Sequence, residues 1–364
     1  MKMLRGRFLP HRNTYLFESE PSIFHCHHYN CYLQAVILDA GGYLPGLKDI
    51  LVESSQEVVY AQFKRFFRTN SPMSVTERKE VIEDYFRYSG FGLIDLDNVS
   101  QTGGVVETAF DHYGIGWKVK FGKSSEPVSF FTCGFLAGAL EAIYDLEQGT
   151  INCEQIQCIS SCEGTSKFVL RKAAFPKFLH NSPAEGVYQN GVLRQARHSS
   201  VDYNAVRNAL VNMPFEGSKS NGLIEAFGVY LTRHYANYYC NISYKFLHLF
   251  KNRIGSEGFS IATELLTEAG QVCGFNTFGG IMQSNEWNAM IKPMLSNKED
   301  WVHGIVAVVN AFGWGFWEIV ELDPGKKLLV KIVNGYEANS FIKGYGKSTF
   351  PVSFLATGGV AGVM

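Results

Sequence analysis

The densest set of ligand-type side chains in the sequence is His25, Cys26, His27, His28 and Cys31. A helix through this stretch would place His25, His28 and Cys31 at i, i+3 and i+6, on one broad face. Neutral imidazole and thiolate together suit zinc, iron or copper, and the same donors can ligate a haem iron. His234, Tyr238 and Cys240 repeat His25, Tyr29 and Cys31 at a constant spacing of 209, with Asn237 where His28 would stand. A repeated H-x5-C pattern serves a metal or catalytic role. It serves equally two copies of one packing helix, which would keep the same core residues.

A second group is Cys153, Cys158 and Cys162, with Glu154 and Cys133 as further donors. The spacing is C-x4-C-x3-C, not the paired C-x2-C of a zinc ribbon. An altered metal site, a redox-responsive thiol pair and simple burial of small apolar cysteines all remain open. The third group is aromatic. Trp301, Trp314 and Trp317 with Phe312 and Phe316 either build a core or, with His303 or His112, line a pocket. Such a pocket would orient an aromatic or polyene ligand through one polar contact. The ligand-binding candidates are therefore His25, His28, Tyr29, His112, Trp117, His234, Tyr238, His303 and Trp314. The metal candidates are His25, His28, Cys31, Cys153, Cys158 and Cys162, for zinc, iron or haem.

Gly122-Lys123-Ser124 and Gly346-Lys347-Ser348 are not phosphate loops. That motif needs a glycine five residues earlier, where Trp117 and Phe341 stand. They belong instead to an internal repeat: GKSSEPVSFFTCGFLAG at 122–138 returns as GKSTFPVSFLATGGVAG at 346–362, a spacing of 224. The shared glycines, Gly134 with Gly358 and Gly138 with Gly362, allow close helix packing.

The elements that must position these residues follow from periodicity. After an irregular or short-stranded lead-in to Pro21, helical spacing predicts a first helix from Ile23 to Leu38 and a second over Leu47–Phe67. A third is expected over Val75–Tyr88, entered near Thr76 and stopped at Gly90. Period-two stretches predict strands at Gly92–Leu96, Val105–Phe110 and Ile115–Phe121. A helix over Pro127–Tyr144 and strands at Asn152–Ile159 and Lys167–Lys172 close the first unit. Residues 176–200 read as a linker between a first domain (1–175) and a second (201–364). In the second, helices at Phe227–Phe250, Phe259–Phe278 and Lys298–Phe312 precede strands at Gly315–Leu322 and Lys327–Val333. Phe91-Gly92 corresponds to Trp314-Gly315, at a spacing of 223. No counterpart of 141–172 follows within the sequence, either because it has been lost or because it lies in a further tail, and the second copy is expected here without its closing hairpin. The fold class expected is α+β: two tandem repeats, each a helical layer on a small antiparallel sheet, packed as a pseudo-dimer.

The chain carries 33 basic and 34 acidic residues, so nothing in its charge calls for nucleic acid or an anionic membrane. Aromatic residues make up 14%, enough for a large core, an apolar chamber, or both. No apolar run is long enough to span a membrane, and no leader is evident at Met1–Arg12. The eight cysteines then read as thiols of a reducing cytoplasm.

Pro127-Val128, Gly134 and Gly138, Ile156-Gln157-Cys158, Gly164 and Lys167-Phe168-Val169 together resemble the 4-vinyl reductase domain family, whose fold is shared with small TRAPP tethering subunits. The resemblance implies ligand-sensing, redox-sensing or bacteriochlorophyll-linked roles, and a zinc held by cysteines and an acidic residue. The corresponding positions here are Ser129, Gln155, Cys158 and Ser166, of which Cys158 alone keeps the expected type. Neither a dinucleotide fingerprint, a nucleophile elbow nor H-E-x-x-H is present, so the family's reductase name finds no independent support in a hydride-transfer motif. The leading expectation is binding of a small hydrophobic molecule, with a homodimer or a protein partner relaying the outcome. The alternatives are a metal- or haem-dependent oxidoreductase built on His25, His28 and Cys31, and an interaction scaffold resembling the tethering subunits.

Overall fold

In this computed structural model, residues 3–41, 44–161, 164–177, 179–180 and 186–363 are described. The chain is mixed helix and antiparallel sheet, arranged as two repeats. The first repeat runs β1 (Arg7–Leu9), β2 (Thr14–Phe17), β3 (Glu20–Cys26), α1 (His27–Ala40), α2 (Leu47–Thr69) and α3 (Val75–Tyr88). It continues with β4 (Val99–Ser100), β5 (Gly103–Thr108), α4 (His112–Phe121), α5 (Phe130–Ile143), β6 (Ile151–Gln157) and β7 (Ser166–Lys172). After the connecting segment and α6 (Tyr203–Val211), the order restarts with β8 (Ile224–Ala226), β9 (Val229–Tyr235), α7 (Ala236–Ile254) and α8 (Ser256–Ile281). A short α9 (Asn285–Met290), α10 (Glu299–Ala311), β10 (Phe316–Asp323), β11 (Lys327–Val333), α11 (Tyr336–Tyr345) and α12 (Phe354–Ala361) complete it.

Strands β4-β5-β7-β6 form the first repeat's own sheet, while β10 and β11 pair alone in the second. The remaining strands build one five-stranded sheet in the order β1-β2-β3-β9-β8, shared between the repeats. At its centre Phe24 lies opposite Arg233, His25 opposite Thr232 and Ile23 opposite His234. Arg233 is also the residue 209 positions after Phe24, so the pseudo-two-fold axis passes through this pair. The hairpins are exchanged reciprocally across that axis. Phe24 N–H donates to Phe312 O at 3.0 Å, and its counterpart Arg233 N–H donates to Ser89 O at 2.9 Å. Each repeat's strand thus docks on the end of the other repeat's helix, the isologous arrangement of a symmetric dimer.

The repeated glycines behave as expected. A Cβ on Gly134 would come 2.0 Å from Val52 O of α2, and one on Gly358 the same distance from Thr267 O of α8. Close backbone approach is what locks α5 on α2 and α12 on α8. Among the described residues no helix is long and apolar enough to cross a membrane.

Five expectations are corrected. The stretch read as the start of the first helix is strand β3, every residue of it buried, and helix begins only at His27. With both faces buried, polar Glu20, Ser22 and His25 included, the strand shows no inside–outside alternation by which periodicity could tell it from a buried helix. The same error recurs at Phe227–Phe250, which is β9 followed by α7. Ile115–Phe121 belongs to helix α4, fixed by an N-cap: the Asp111 side chain accepts from Gly114 N–H at 3.1 Å. Gly92–Leu96 forms a single bridge, Gly92 to Asp111, in place of a strand. The α3 entry is also shifted, to a capping box of Ser74 and Glu77.

Candidate functional site

The exchanged hairpins carry their histidines into the middle of the molecule. Each histidine meets an aromatic side chain held between two glycines of the other repeat, Gly90-Phe91-Gly92 or Gly313-Trp314-Gly315. All four glycines adopt positive φ, between 81° and 120°, a backbone that other residues adopt only under strain. The tight turn aims Trp314 at His25, with ring centroids 4.8 Å apart, and Phe91 at His234, 5.2 Å apart. The Trp314 indole N–H donates to Phe24 O at 2.9 Å, which fixes its orientation.

His25 stands inside an enclosure of rings. Tyr29 lies at 3.8 Å, Tyr239 at 4.4 Å and Tyr336 at 5.6 Å between centroids. The Tyr29 and Tyr336 hydroxyls are 3.1 Å apart. His25 is 2% exposed, and neither ring nitrogen has a hydrogen-bond partner among the described residues. Burial holds its pKa well below the ordinary histidine value, so the imidazole is neutral. It therefore presents one N–H donor and one lone pair, both unused.

His234, its twin, is equally buried but fully committed. Its Nδ1 accepts from Tyr235 N–H at 3.0 Å, so the proton sits on Nε2, which donates to the Tyr113 hydroxyl at 2.9 Å. Beside it, Asn30 ties the repeats together: it donates to Thr232 Oγ1 at 3.1 Å and to His112 Nε2 at 3.0 Å, and accepts from the Tyr239 hydroxyl. His112 then carries its proton on Nδ1, which has no partner among the described residues. Its pKa is lowered to about 3 by burial.

Of the ligand-binding candidates, the structure brings His25, Tyr29, His112, His234, Tyr238 and Trp314 into this one centre. Tyr238 packs on His234 with ring centroids 4.9 Å apart. His28 lies outside it, beside His27 on α1 at 4.0 Å between rings. Trp117 sits on the outer side of α4 against Phe121. His303 is elsewhere again, its Nδ1 2.7 Å from the Tyr203 hydroxyl. Two members of the centre, Tyr239 and Tyr336, were not anticipated.

The metal candidates do not converge. His25 is on a strand, so it shares no helix face with His28 and Cys31, and the Cys31 thiol turns to Tyr113 O at 3.8 Å. Cys153 neighbours Cys133, whereas Cys158 Sγ lies 3.0 Å from Ser160 Oγ. Cys162 lies outside the described residues. Among the described residues no three of His, Cys, Asp and Glu come together as a metal site. The positions where the resemblance implies zinc are engaged in hydrogen bonds, Ser129 with Gln155 and Ser166 with the backbone. Ser129 N–H donates to Gln155 Oε1 at 2.8 Å, Gln155 Nε2 to Ser129 Oγ at 3.3 Å, and Ile159 N–H to Ser166 Oγ at 3.1 Å. One thiol among hydroxyls and an amide does not fit a structural zinc.

No protein-family profile matches the chain, and no curated protein matches it. Six chains of solved structures do. One is the phenol-responsive sensory domain of the transcription activator PoxR, solved with phenol. It is 14% identical, covers 46% of this chain and 85% of its own, and has a TM-score of 0.38. At that score the likeness bears on neither function nor ligand.

Proposed function

We propose that the protein binds one small planar aromatic or polyene molecule, carrying a hydroxyl or carbonyl, in the enclosure around His25. The observation that carries this is the imidazole of His25, without a partner among the described residues, inside walls of Tyr29, Tyr239, Trp314 and Tyr336. A buried polar group without a partner costs about 1–3 kcal/mol, and a ligand oxygen would use both nitrogens' capacity in turn. Ring walls supply the apolar and edge-to-face contact that a flat ligand needs. The walls come from both repeats, so admitting a ligand spreads Tyr29 from Trp314 and Tyr336 and couples binding to the seating of one repeat on the other. That coupling makes sensing or presentation the fitting role. We also read the repeats as 4-vinyl-reductase-type domains, on the motifs around Pro127-Val128 and Lys167-Phe168-Val169.

The test uses the full chain labelled with 5-fluorotryptophan and titrated with 2-naphthol, after native mass spectrometry and elemental analysis of the same preparation. A saturable shift of the Trp314 signal, lost in His25→Leu, is expected. An unmoved Trp314 signal, or equal response in His25→Leu, would sink the reading. A stoichiometric metal lost in that variant would replace it with the metal-dependent one.

A further inference from the structure

On the surface of the first repeat an open groove of about 930 Å³ is lined by Leu38, Trp117 and Phe130. Their counterparts in the second repeat, Leu247, Phe341 and Phe354, line the same place, but no room for a water molecule is left there. Two exchanges contribute to the difference, beside the 44–49 stretch that lines the first groove alone. Tyr244 stands where the first repeat has Ala35, and Phe350 stands where it has Glu126. The Tyr244 ring lies flat on Tyr345, the counterpart of Phe121, with centroids 3.6 Å and planes 9° apart. Phe350 meets Phe259 and Phe341 edge-on, at 4.9 and 6.0 Å. In the first repeat no ring lies flat on Phe121: Tyr32 is tilted against it at 6.2 Å, Phe121 stays 40% exposed, Ala35 contributes one methyl, and Glu126 pairs with Lys48.

We propose that this groove is a second binding site, for the planar aromatic ring of a small molecule laid on Phe121, as Tyr244 is laid on Tyr345, with the tilted Trp117 ring at its edge. The second repeat supplies the template: the same walls, closed by the protein's own rings, define a slot one ring thick. The groove shares no lining residue with the His25 enclosure. It is also open to solvent, with Asp39, Asp49, Lys48 and Lys123 on its rim, so a ring bearing a charged substituent can enter while its charge stays hydrated.

The fluorotryptophan-labelled chain tests this separately from the central site. Trp117 is the first tryptophan in the sequence, and its signal is assigned from Trp117→Phe. Titration with 2-naphthol should move the Trp117 signal saturably. Ala35→Tyr, which copies the second repeat's closure, should weaken that response at least about tenfold and leave the Trp314 response unchanged. Glu126→Phe closes the groove from the other side and serves if Ala35→Tyr does not fold. A Trp117 signal fixed up to the solubility limit of 2-naphthol overturns the inference, and so does an undiminished response in both closed variants. A shift that follows protein concentration alone overturns it in favour of a second copy of the chain. Trp117 moving while Trp314 stays silent would uphold this site and sink the central one.

Discussion

His25→Leu and His234→Leu delete the same ring at matching places, yet the surroundings give them opposite consequences. Replacing His25 removes a buried donor and acceptor with no partners among the described residues, so the variant should gain about 1–3 kcal/mol. Replacing His234 strands the Tyr235 N–H and takes one partner from the Tyr113 hydroxyl, and should cost about as much. Urea unfolding measures both, and equal effects of the same sign would refute the contrast. pH adds a second readout. Burial depresses the folded pKa of His25, so below about 6.5 the unfolded chain takes up a proton that the folded chain refuses. Stability from the neutral imidazole is present above that value and lost as pH falls. The advantage of His25→Leu should therefore widen by about 1 kcal/mol between pH 6.5 and 5.5, the slope approaching about 1.4 kcal/mol per pH unit below that. A gap independent of pH would mean that the imidazole is not held neutral. At this scale the repeat made half the centre legible: a spacing of 209 carries His25 and Tyr29 onto His234 and Tyr238. Tyr336 was within reach by the same logic, since a spacing of 224 pairs it with His112. Tyr239 was not, because its counterpart Asn30 is not aromatic.

Elements with both faces covered, or held by a single cap, escaped periodicity. Strand β3 reads EPSIFHC and is buried throughout, so no polar face marks its period. In α4 the residues Ile115, Trp117, Val119 and Phe121 alternate as a strand would, and Asp111 decides the matter by capping the helix. Helix pairing, by contrast, was written in the glycines. Gly134→Ala should force α5 away from Val52 of α2 and cost about 1–3 kcal/mol by over-packing. Guanidinium unfolding reads this out, and a neutral outcome would show that the α2–α5 contact can yield. The residues at the implied zinc positions illustrate the limit of transfer by resemblance. Their spacing persists while Ser129, Gln155 and Ser166 hydrogen-bond in place of binding metal.

Reciprocal hairpin exchange makes the two repeats one cooperative unit. Residues 1–200 and 201–364 expressed separately should each lack fixed structure by near-ultraviolet circular dichroism, because each leaves β3 or β9 without its partner strand and its docking turn. Co-expressed, they should elute as a one-to-one complex with the thermal transition of the intact chain. A half that unfolds cooperatively alone would contradict this. The buried Glu57 adds a further tie, its carboxylate accepting from Asn241 at 3.0 Å and Lys245 at 2.9 Å across the repeat boundary. Joining the halves in one chain also lifts a restriction that any true homodimer obeys. On the axis of a homodimer a residue can face only itself, so the central pair would have to be Phe with Phe or Arg with Arg, the latter burying two like charges. Here the guanidinium of Arg233 rests 4.6 Å over the ring of Phe24 and donates to Phe215 O at 2.9 Å. A cation set over an aromatic ring on the axis is a pairing open only to a sequence whose two copies mutate independently, and the same freedom let one repeat keep its groove open while the other closed its own.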